Sequence, residues 1–463
     1  MRDDEPRMEK KEERGVPVVE TARKVAQIPQ RDREAFMPQG LAFDKSMLAN
    51  PARLLGGDDP EAMASFFGDQ SNARIIGRMK LRLKEGIALL EKTDNHSAAL
   101  QLSREKFEEL SELRVKNLGM IYQKLRPIEQ KIRQLDILFQ NASTSPNDRC
   151  KIWIFNAKPE DVFDPSKPIH KEFWKRIEDM NKNAFYKGMS YSYVLVPGNY
   201  TDPRILNSLD AKLKENRMLL VTDIFYADGQ IRSFPDAEAQ LTDAKYQGLI
   251  KETKDRAHVV SCFNEVLVRA PWDEFEKKGI FVPASVFVTG AMYKTDLTEG
   301  LQASPAGDKL GNIVGGYSTK MDVNLTEADL CNLKYQLVPI VAPYGRGGVL
   351  QIYGVRNLSS QIPYRQIAVI KVSNYISKML HNIAEKVKFQ PNNDRTLEML
   401  RAKIEKFLRG LPGYMINKVQ NIKVEWDSSD KTIAKISADI EYMQAVEKFE
   451  YYLPATTLQD AKT

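Results

Sequence analysis

The stretch from Ile280 to Gly307, IFVPASVFVTGAMYKTDLTEGLQASPAG, constrains this chain more than any other. It opens on an apolar run, Ile280-Phe281-Val282, and then Pro283 fixes φ and removes a backbone donor. Ser285-Val286-Phe287-Val288 follow, and the run closes at Gly290. The pattern turns polar through Lys294, Thr295 and Asp296 and ends in the loop Ser304-Pro305-Ala306-Gly307. Such a segment reads as a buried strand or short helix leading into a loop that must be placed accurately. No nucleophile stands beside a base in it, so it is not a catalytic elbow.

The 463 residues are too many for one simple core, and roughly two to four domains are expected. A net charge of +6 from 68 basic and 62 acidic residues describes a mixed-charge surface. No basic stripe interleaved with aromatics tracks a phosphate backbone, so nucleic acid is not an expected partner. No apolar run approaches bilayer length, and MRDDEPRMEKKEERG lacks the apolar core of a signal peptide. The reading is a chain made and folded in a cytoplasm, with no membrane insertion. Cys150, Cys262 and Cys331 are odd in number and far apart, which suits reduced thiols better than a disulfide framework.

Residues 1–70 read as an extended arm. Charge clusters alternate with prolines, and composition of this kind buries no core of its own. Within the arm, Val16, Val18 and Val19 form a short β-prone patch. It is either part of a disordered tail or a strand added to another subunit's sheet. Residues 71–145 are helical. Phe107, Leu110, Leu113, Leu118, Ile121, Leu125, Ile128, Ile132 and Leu135 recur at mostly three- and four-residue steps. Asp94-Asn95-His96-Ser97 should break the run into a helical hairpin, and Pro127 should kink or divide the second helix. Packing within the subunit and a coiled coil with a partner are both open.

From Cys150 the period changes. Lys151–Phe155, Tyr191–Val196, Met218–Asp223 and His258–Cys262 are short apolar runs, with helical segments at Lys171–Asn183 and Thr201–Asn216 between them. Strands alternating with helices predict an α/β layer structure over 146–360. Residues 361–456 read as two helices followed by strands at Ile422–Trp426, Ile433–Tyr442 and Lys448–Leu453, an α+β domain before a polar tail at 457–463. Phe449, Tyr451 and Leu453 alternate on one face of the last strand. The four histidines, His96, His170, His258 and His381, fall in four segments with no metal-ligand spacing. Gly345-Arg346-Gly347-Gly348 lacks the Lys-Ser/Thr of a P-loop and reads as a tight turn. Asp223, at the end of a strand, has no visible acid–base partner and reads as a structural hydrogen-bonding group.

The order of motifs resembles the contractile tail-sheath family. Pro283, Ser285, Gly290, Tyr293, Thr295, Asp296, Pro305 and Ala306 match its x-Pro-x-Ser segment, aromatic-x-Thr-Asp turn and Pro-Ala loop. Downstream come a Gly-bounded strand at Gly348–Gly354, then Arg356-Asn357-Leu358-Ser359, then Tyr364-Arg365-Gln366-Ile367. A helix through Tyr375-Ile376 and a Phe389-Gln390-Pro391-Asn392 loop follow in the family's order. Val196-Pro197-Gly198 and Asp223 match two earlier strand ends. The likeness covers the second half of the chain well and the first half poorly.

The resemblance implies a structural protein with no cofactor and no catalytic site. It would be a subunit of a myophage-type tail or of a related contractile injection or type VI secretion apparatus. The implied fold is an N-terminal arm and helical hairpin, a central α/β sheath domain and a C-terminal α+β inner domain whose strands serve inter-subunit β-augmentation. The implied partners are copies of itself in stacked six-subunit rings, an inner tube protein, and baseplate and tail-terminator proteins. Assembly would take place in the cytoplasm, and the mature form would be a virion tail or injection particle. Two alternatives stand beside it: the large subunit of a two-component type VI sheath, and an α/β enzyme using Asp223 and the Gly345–Gly348 loop.

Overall fold

A computed structural model describes residues 96–143, 152–158, 161–162, 164–187, 192–199, 203–224, 233–242, 256–271, 278–342 and 349–449, with positions 77–78, 81, 84–88 and 91–92. The arm residues Val16, Val18 and Val19, Cys150, the Gly345–Gly348 loop, Tyr451 and Leu453 lie outside the described residues. The chain divides into two compact units, Met1–Leu118 and Gly119–Thr463.

In the first unit the described positions between 77 and 91 are helical, and helix α1 (His96–Ala142) begins after them. Phe107, Leu110 and Leu113 on α1 are exposed. The helix runs on into the second unit for 47 residues in all, with Pro127 inside it. The expected division at Pro127 does not occur. Proline removes one backbone donor there, but the turns around it are fastened to the body of the second unit. The Arg126 guanidinium donates to the Lys278 and Gly279 carbonyls, and Gln130 Nε2 donates to Phe281 O at 3.1 Å.

The second unit is built on a five-stranded sheet in the order β1 (Tyr193–Asn199), β2 (Leu219–Asp223), β3 (Val259–Phe263), β7 (Leu337–Val341), β8 (Gln351–Ile352). The first four strands run parallel and β8 is antiparallel. β2, β3 and β7 are buried along their whole length, as continuous apolar runs in a sheet covered on both faces should be. Helices α2 (Pro168–Lys187), α3 (Pro203–Asn216) and α4 (Phe234–Thr242) supply Trp174, Leu209 and Leu241 to one apolar layer. On the other face, Leu219, Val221, Val260 and Ile340 meet Ile137 and Leu138 of α1 and Phe287 of α5 (Ala284–Thr298).

Two strand readings are corrected. Ile152–Phe155 forms no strand: Trp153 and Phe155 pack on Phe173 of α2, with ring centroids at 6.2 and 5.1 Å. Aromatic packing against a helix holds this run without a ladder partner. Of the strand expected over Gly348–Gly354, the described residues from Val349 on carry only two, Gln351–Ile352. At Gly354 a Cβ would lie 2.6 Å from Asn332 Nδ2, so the chain there passes against another segment. Of the run Lys448–Leu453, Lys448 and Phe449 carry no strand, and the rest lies outside the described residues.

A second, three-stranded sheet pairs β4 (Glu265–Arg269) with β5 (Ile280–Pro283) and β6 (Ser318–Thr319). Its strand β4 follows β3 after a single residue, Asn264, held at φ 87°. Asn264 is fully buried; its Nδ2 donates to Met321 O at 2.9 Å and Ile340 O at 3.1 Å, and its Oδ1 accepts from Met321 N and Glu265 N. Asparagine tolerates the left-handed region, and here its side chain supplies the hydrogen bonds that let the chain leave one sheet for another.

The C-terminal part has its own core. Helix α6 (Leu325–Asp329) runs into a π-helical turn, Leu330–Lys334, ahead of β7. Helix α7 (Ile367–Glu385) buries Ile367 and Ile370 in the sheet's core and Val372 and Ile376 in the C-terminal one. Helix α8 (Asp394–Arg409) is capped by Asn393, whose side chain accepts from Thr396 N, and stops at Gly410. It packs Leu400, Ile404 and Leu408 against the antiparallel pair β9 (Ile416–Trp426) and β10 (Ala434–Tyr442).

Candidate functional site

Pro283 and Ser285 of the Ile280–Gly307 stretch lie at a buried knot at the carboxyl ends of β1 and β2. Proline ends β5 at Pro283 and serves as the N-cap of α5. Pro283 suits that boundary, since its missing donor is one a helix start leaves unused. Two residues on, Ser285 donates to Asp223: its N reaches Oδ1 at 2.8 Å and its Oγ reaches Oδ2. Gly198 N, after the Val196-Pro197 step of β1, donates to the same carboxylate at 3.0 Å. Asp223 therefore joins β1, β2 and the first turn of α5. Burial pushes its carboxyl up to about 7, against the hydrogen bonds from Ser285 and Gly198.

An open α/β sheet places ligands in the crevice beyond these strand ends. Here the first turn of α5 meets the end of β2 through Ser285, and Asp223 and Ser285 are both fully buried. Asp223 has the position of a catalytic acid and the surroundings of a structural tie.

Further along α5 the remaining motif residues face other elements. Gly290 lies against α1, where an added Cβ would stand 2.7 Å from Asn141 Cβ and 2.9 Å from Leu138 O. Asn141 itself is buried; its Nδ2 donates to Val314 O and its Oδ1 accepts from Val314 N, both at 2.9 Å. Thr295 is buried. Asp296 takes Lys371 Nζ at 2.6 Å and the hydroxyl of Tyr193, and the same ammonium donates to Ala303 O at 2.9 Å. One carboxylate thus connects α5 to β1 by a hydrogen bond and to α7, the helix that bridges the two cores, by an ion pair. Burial raises the Asp296 carboxyl above its ordinary value, and the Lys371 charge counters it.

Arg356 and Arg365 converge on one carboxylate far away in sequence. Arg356 Nε lies 3.2 Å from both oxygens of Glu447, and Arg365 Nη2 lies 3.4 Å from Oε2. Tyr375, on α7, sits in the C-terminal core with its ring centroid 6.4 Å from that of Phe407. Phe449 is exposed. The motif residues do not gather into one pocket; they occupy the seams between elements.

Sequence reasoning missed Asn264, Lys371, Gln366 and Glu447. One signal was present, a lysine inside the apolar run Ile367-Ala368-Val369-Ile370-Lys371-Val372, which requires a buried counter-charge. Among the described residues, no group of three or more His, Cys, Asp or Glu side chains could hold a metal ion. No described helix is long and apolar enough to cross a membrane.

What the geometry provides is mechanical coupling. Interlocked elements end in a two-stranded ribbon, β9–β10, to which no further strand of the described residues is added. A family model, the central domain of the type VI secretion system proteins TssC/VipB, matches residues 120–352, half of the chain. The class is that of contractile-sheath structural subunits. Within it, the chain belongs to the TssC/VipB family.

Solved structures to which the chain is similar include a chain of the anti-feeding prophage baseplate, at 15% identity over 61% of this chain and 73% of that one, TM-score 0.45. The contracted sheath complex of an extracellular contractile injection system, PVC, shares 16% identity over 57% and 71%, TM-score 0.43. The contracted helical sheath of the anti-feeding prophage shares 14% over 64% and 84%, TM-score 0.42. No curated protein matches the sequence.

Proposed function

We propose that copies of this chain polymerise helically around an inner tube protein and contract as a sheath to drive that tube through a target envelope. The observation that carries the reading is the β9–β10 ribbon, with 11 and 9 residues in its strands and an outer edge on each that pairs with no described strand. Long open edges are templates for strands of other chains. In this reading the patch at Val16, Val18 and Val19 and the strand at Phe449, Tyr451 and Leu453 are the additions, each lent to a neighbouring copy. The domains run 1–70 for the arm, 71–145 for the helical hairpin, 146–360 for the central domain and 361–456 for the inner one.

Heterologous contacts that do not close generate a helical polymer. Two packings of one subunit can differ by only a few kcal/mol, and the sum over many subunits supplies the work without nucleotide, metal or catalysis. Baseplate and terminator proteins cap the ends, and assembly takes place in the cytoplasm. Deleting residues 1–68 should leave a folded chain that forms no tubes by negative-stain microscopy. Full-length tubes from that truncation would refute the arm's role. Mild denaturant or acid should shorten and widen extended tubes irreversibly in the presence of chelator and without nucleotide; shortening that required nucleotide hydrolysis by this chain would refute the spring.

A second reading, the large subunit of a two-component sheath, is favoured by the outer face of α1 in the second unit. Ile121, Leu125, Ile128, Ile132 and Phe139 are all exposed there. Apart from Leu135, half-buried at its place in the series, they follow the three- and four-residue steps of a coiled-coil seam. Arg126, Gln130 and Asn141 meanwhile hold the helix to the body of the unit. Co-expression with a helical small sheath protein should yield a stable complex that Ile128→Lys abolishes; tubes formed by this chain alone would argue for the one-component form.

A further inference from the structure

β10 ends at Tyr442, and the next seven residues carry no regular structure and join neither ribbon edge. They are held by side chains instead. Gln366 occupies the N-cap position of α7 but makes no cap to its own helix. Its amide turns to the backbone of Ala445: Oε1 accepts from Ala445 N at 2.8 Å and Nε2 donates to Ala445 O at 3.0 Å. A buried amide side chain thus does the work of a strand partner. Gln366 is 1% exposed.

Two residues on, Glu447 is gripped by Arg356 and Arg365 and accepts from Gln366 Nε2 at 2.9 Å. Arg356 and Gln366 face each other across an antiparallel bridge, so both jaws belong to one rigid piece. Arg356 Nη1 also donates to Leu333 O, in the π-helical turn, at 2.9 Å. The exposed residues of the held segment are Gln444, Val446, Lys448 and Phe449, of which Val446 and Phe449 are apolar.

We propose that Gln366, Arg356 and Glu447 form a latch that takes the chain off β10 and fixes the place and direction from which the residues after Phe449 depart. The idea rests on the reading that those residues pair with a neighbouring copy. Without the latch, the segment after Tyr442 is free to change register or fold back on the open edge of its own β10, and the strand offered to a neighbour loses its fixed root. The latch holds the segment through the backbone of Ala445 and the carboxylate of Glu447.

The test uses the full chain with Glu447→Ala and, separately, Gln366→Ala, beside a chain truncated after Phe449. Hydrogen exchange of unassembled protein should show the Ala445 amide exchanging about tenfold faster or more in both latch variants. Far-UV circular dichroism should remain that of the parent. Tube formation should fail in all three proteins under conditions where the parent assembles. Glu447→Gln, which keeps the shape and loses the charge, should fall between parent and Glu447→Ala. An Ala445 amide no faster in the variants overturns the latch, as does faster exchange with parental tube yield. If the truncated chain assembles normally, the neighbour-pairing reading is wrong, and the latch's purpose falls with it. Truncation that fails beside a Glu447→Ala chain that assembles overturns the latch alone.

Discussion

Replacing Asp223 by asparagine tests whether the knot at the strand ends is a neutral or an ionised one. Burial raises this carboxyl to about 7 in the folded chain, whereas an unfolded aspartate titrates near 3.9, roughly. A folded-state pKa above the unfolded one means that the native state binds the extra proton. The associated stability is fully present below the unfolded value and is lost as pH rises through the folded value. The slope from this one group is up to about 1.4 kcal/mol per pH unit, and the whole interval is worth on the order of 4 kcal/mol. The amide of the Asp223→Asn variant cannot titrate.

Urea unfolding of soluble protein between roughly pH 4.5 and 7.5, followed by circular dichroism, should therefore show parent stability falling relative to the variant as pH rises. Asp296 is also raised by burial, but it contributes to both proteins and cancels in the difference; Glu265, whose charge adds to the rise at Asp223, cancels only in part. At the acid end the variant should be weaker by about 1–3 kcal/mol, because its amide nitrogen can satisfy Ser285 Oγ only by turning a donor toward Gly198 N. Parallel stability curves for parent and variant across the whole range would show that the three donors keep Asp223 ionised, and the argument from burial would be wrong.

Gly290→Ala should destabilise the second unit by about 1–3 kcal/mol, since a backbone carbonyl 2.9 Å from the new methyl cannot give way; an alanine at Gly86, with open space around it, should instead gain up to about 1 kcal/mol. Both are read by denaturant midpoints. Lys371→Met leaves the Asp296 carboxylate without its cation, and a loss of about 3–5 kcal/mol is expected; adding Asp296→Asn should recover part of it, and no recovery would mean that Lys371 acts chiefly through Ala303 O. Asn264→Ala should lose about 2–4 kcal/mol from its buried hydrogen bonds and from strain at φ 87°, with Asn264→Gly recovering only the strain.

Much of the fold was legible because it is written in short-range pattern. The buried runs at 219–223 and 259–263 are continuous and apolar, and a parallel sheet covered on both faces needs that composition. Helices α7 and α8 carry their periodicity in the open, and α8 also its flanking residues, Asn393 and Gly410. The segment at Ile280 was ambiguous for a physical reason. An apolar run of that length suits a strand or a buried helix equally, and the chain uses both, switching at Pro283. β4 was missed because EVLVR follows β3 after one residue, with no glycine or proline to announce the turn; the turn depends on four hydrogen bonds of Asn264 to Met321, Ile340 and Glu265.

The sequence by itself determined which residues are apolar and at what period, where helices can begin and end, and the order of motifs that marks the family. It also marked Gly290, Asp296, Arg356 and Arg365 as unusual without saying what they touch. Only tertiary structure decided the partners: Asn141 for Gly290, Lys371 for Asp296, Glu447 for both arginines. Hydrophobic burial depends on periodicity that a short window contains. An ion pair or a close helix approach depends on two places brought together by everything folded between them, 75 residues apart for Lys371 and Asp296 and 91 for Arg356 and Glu447.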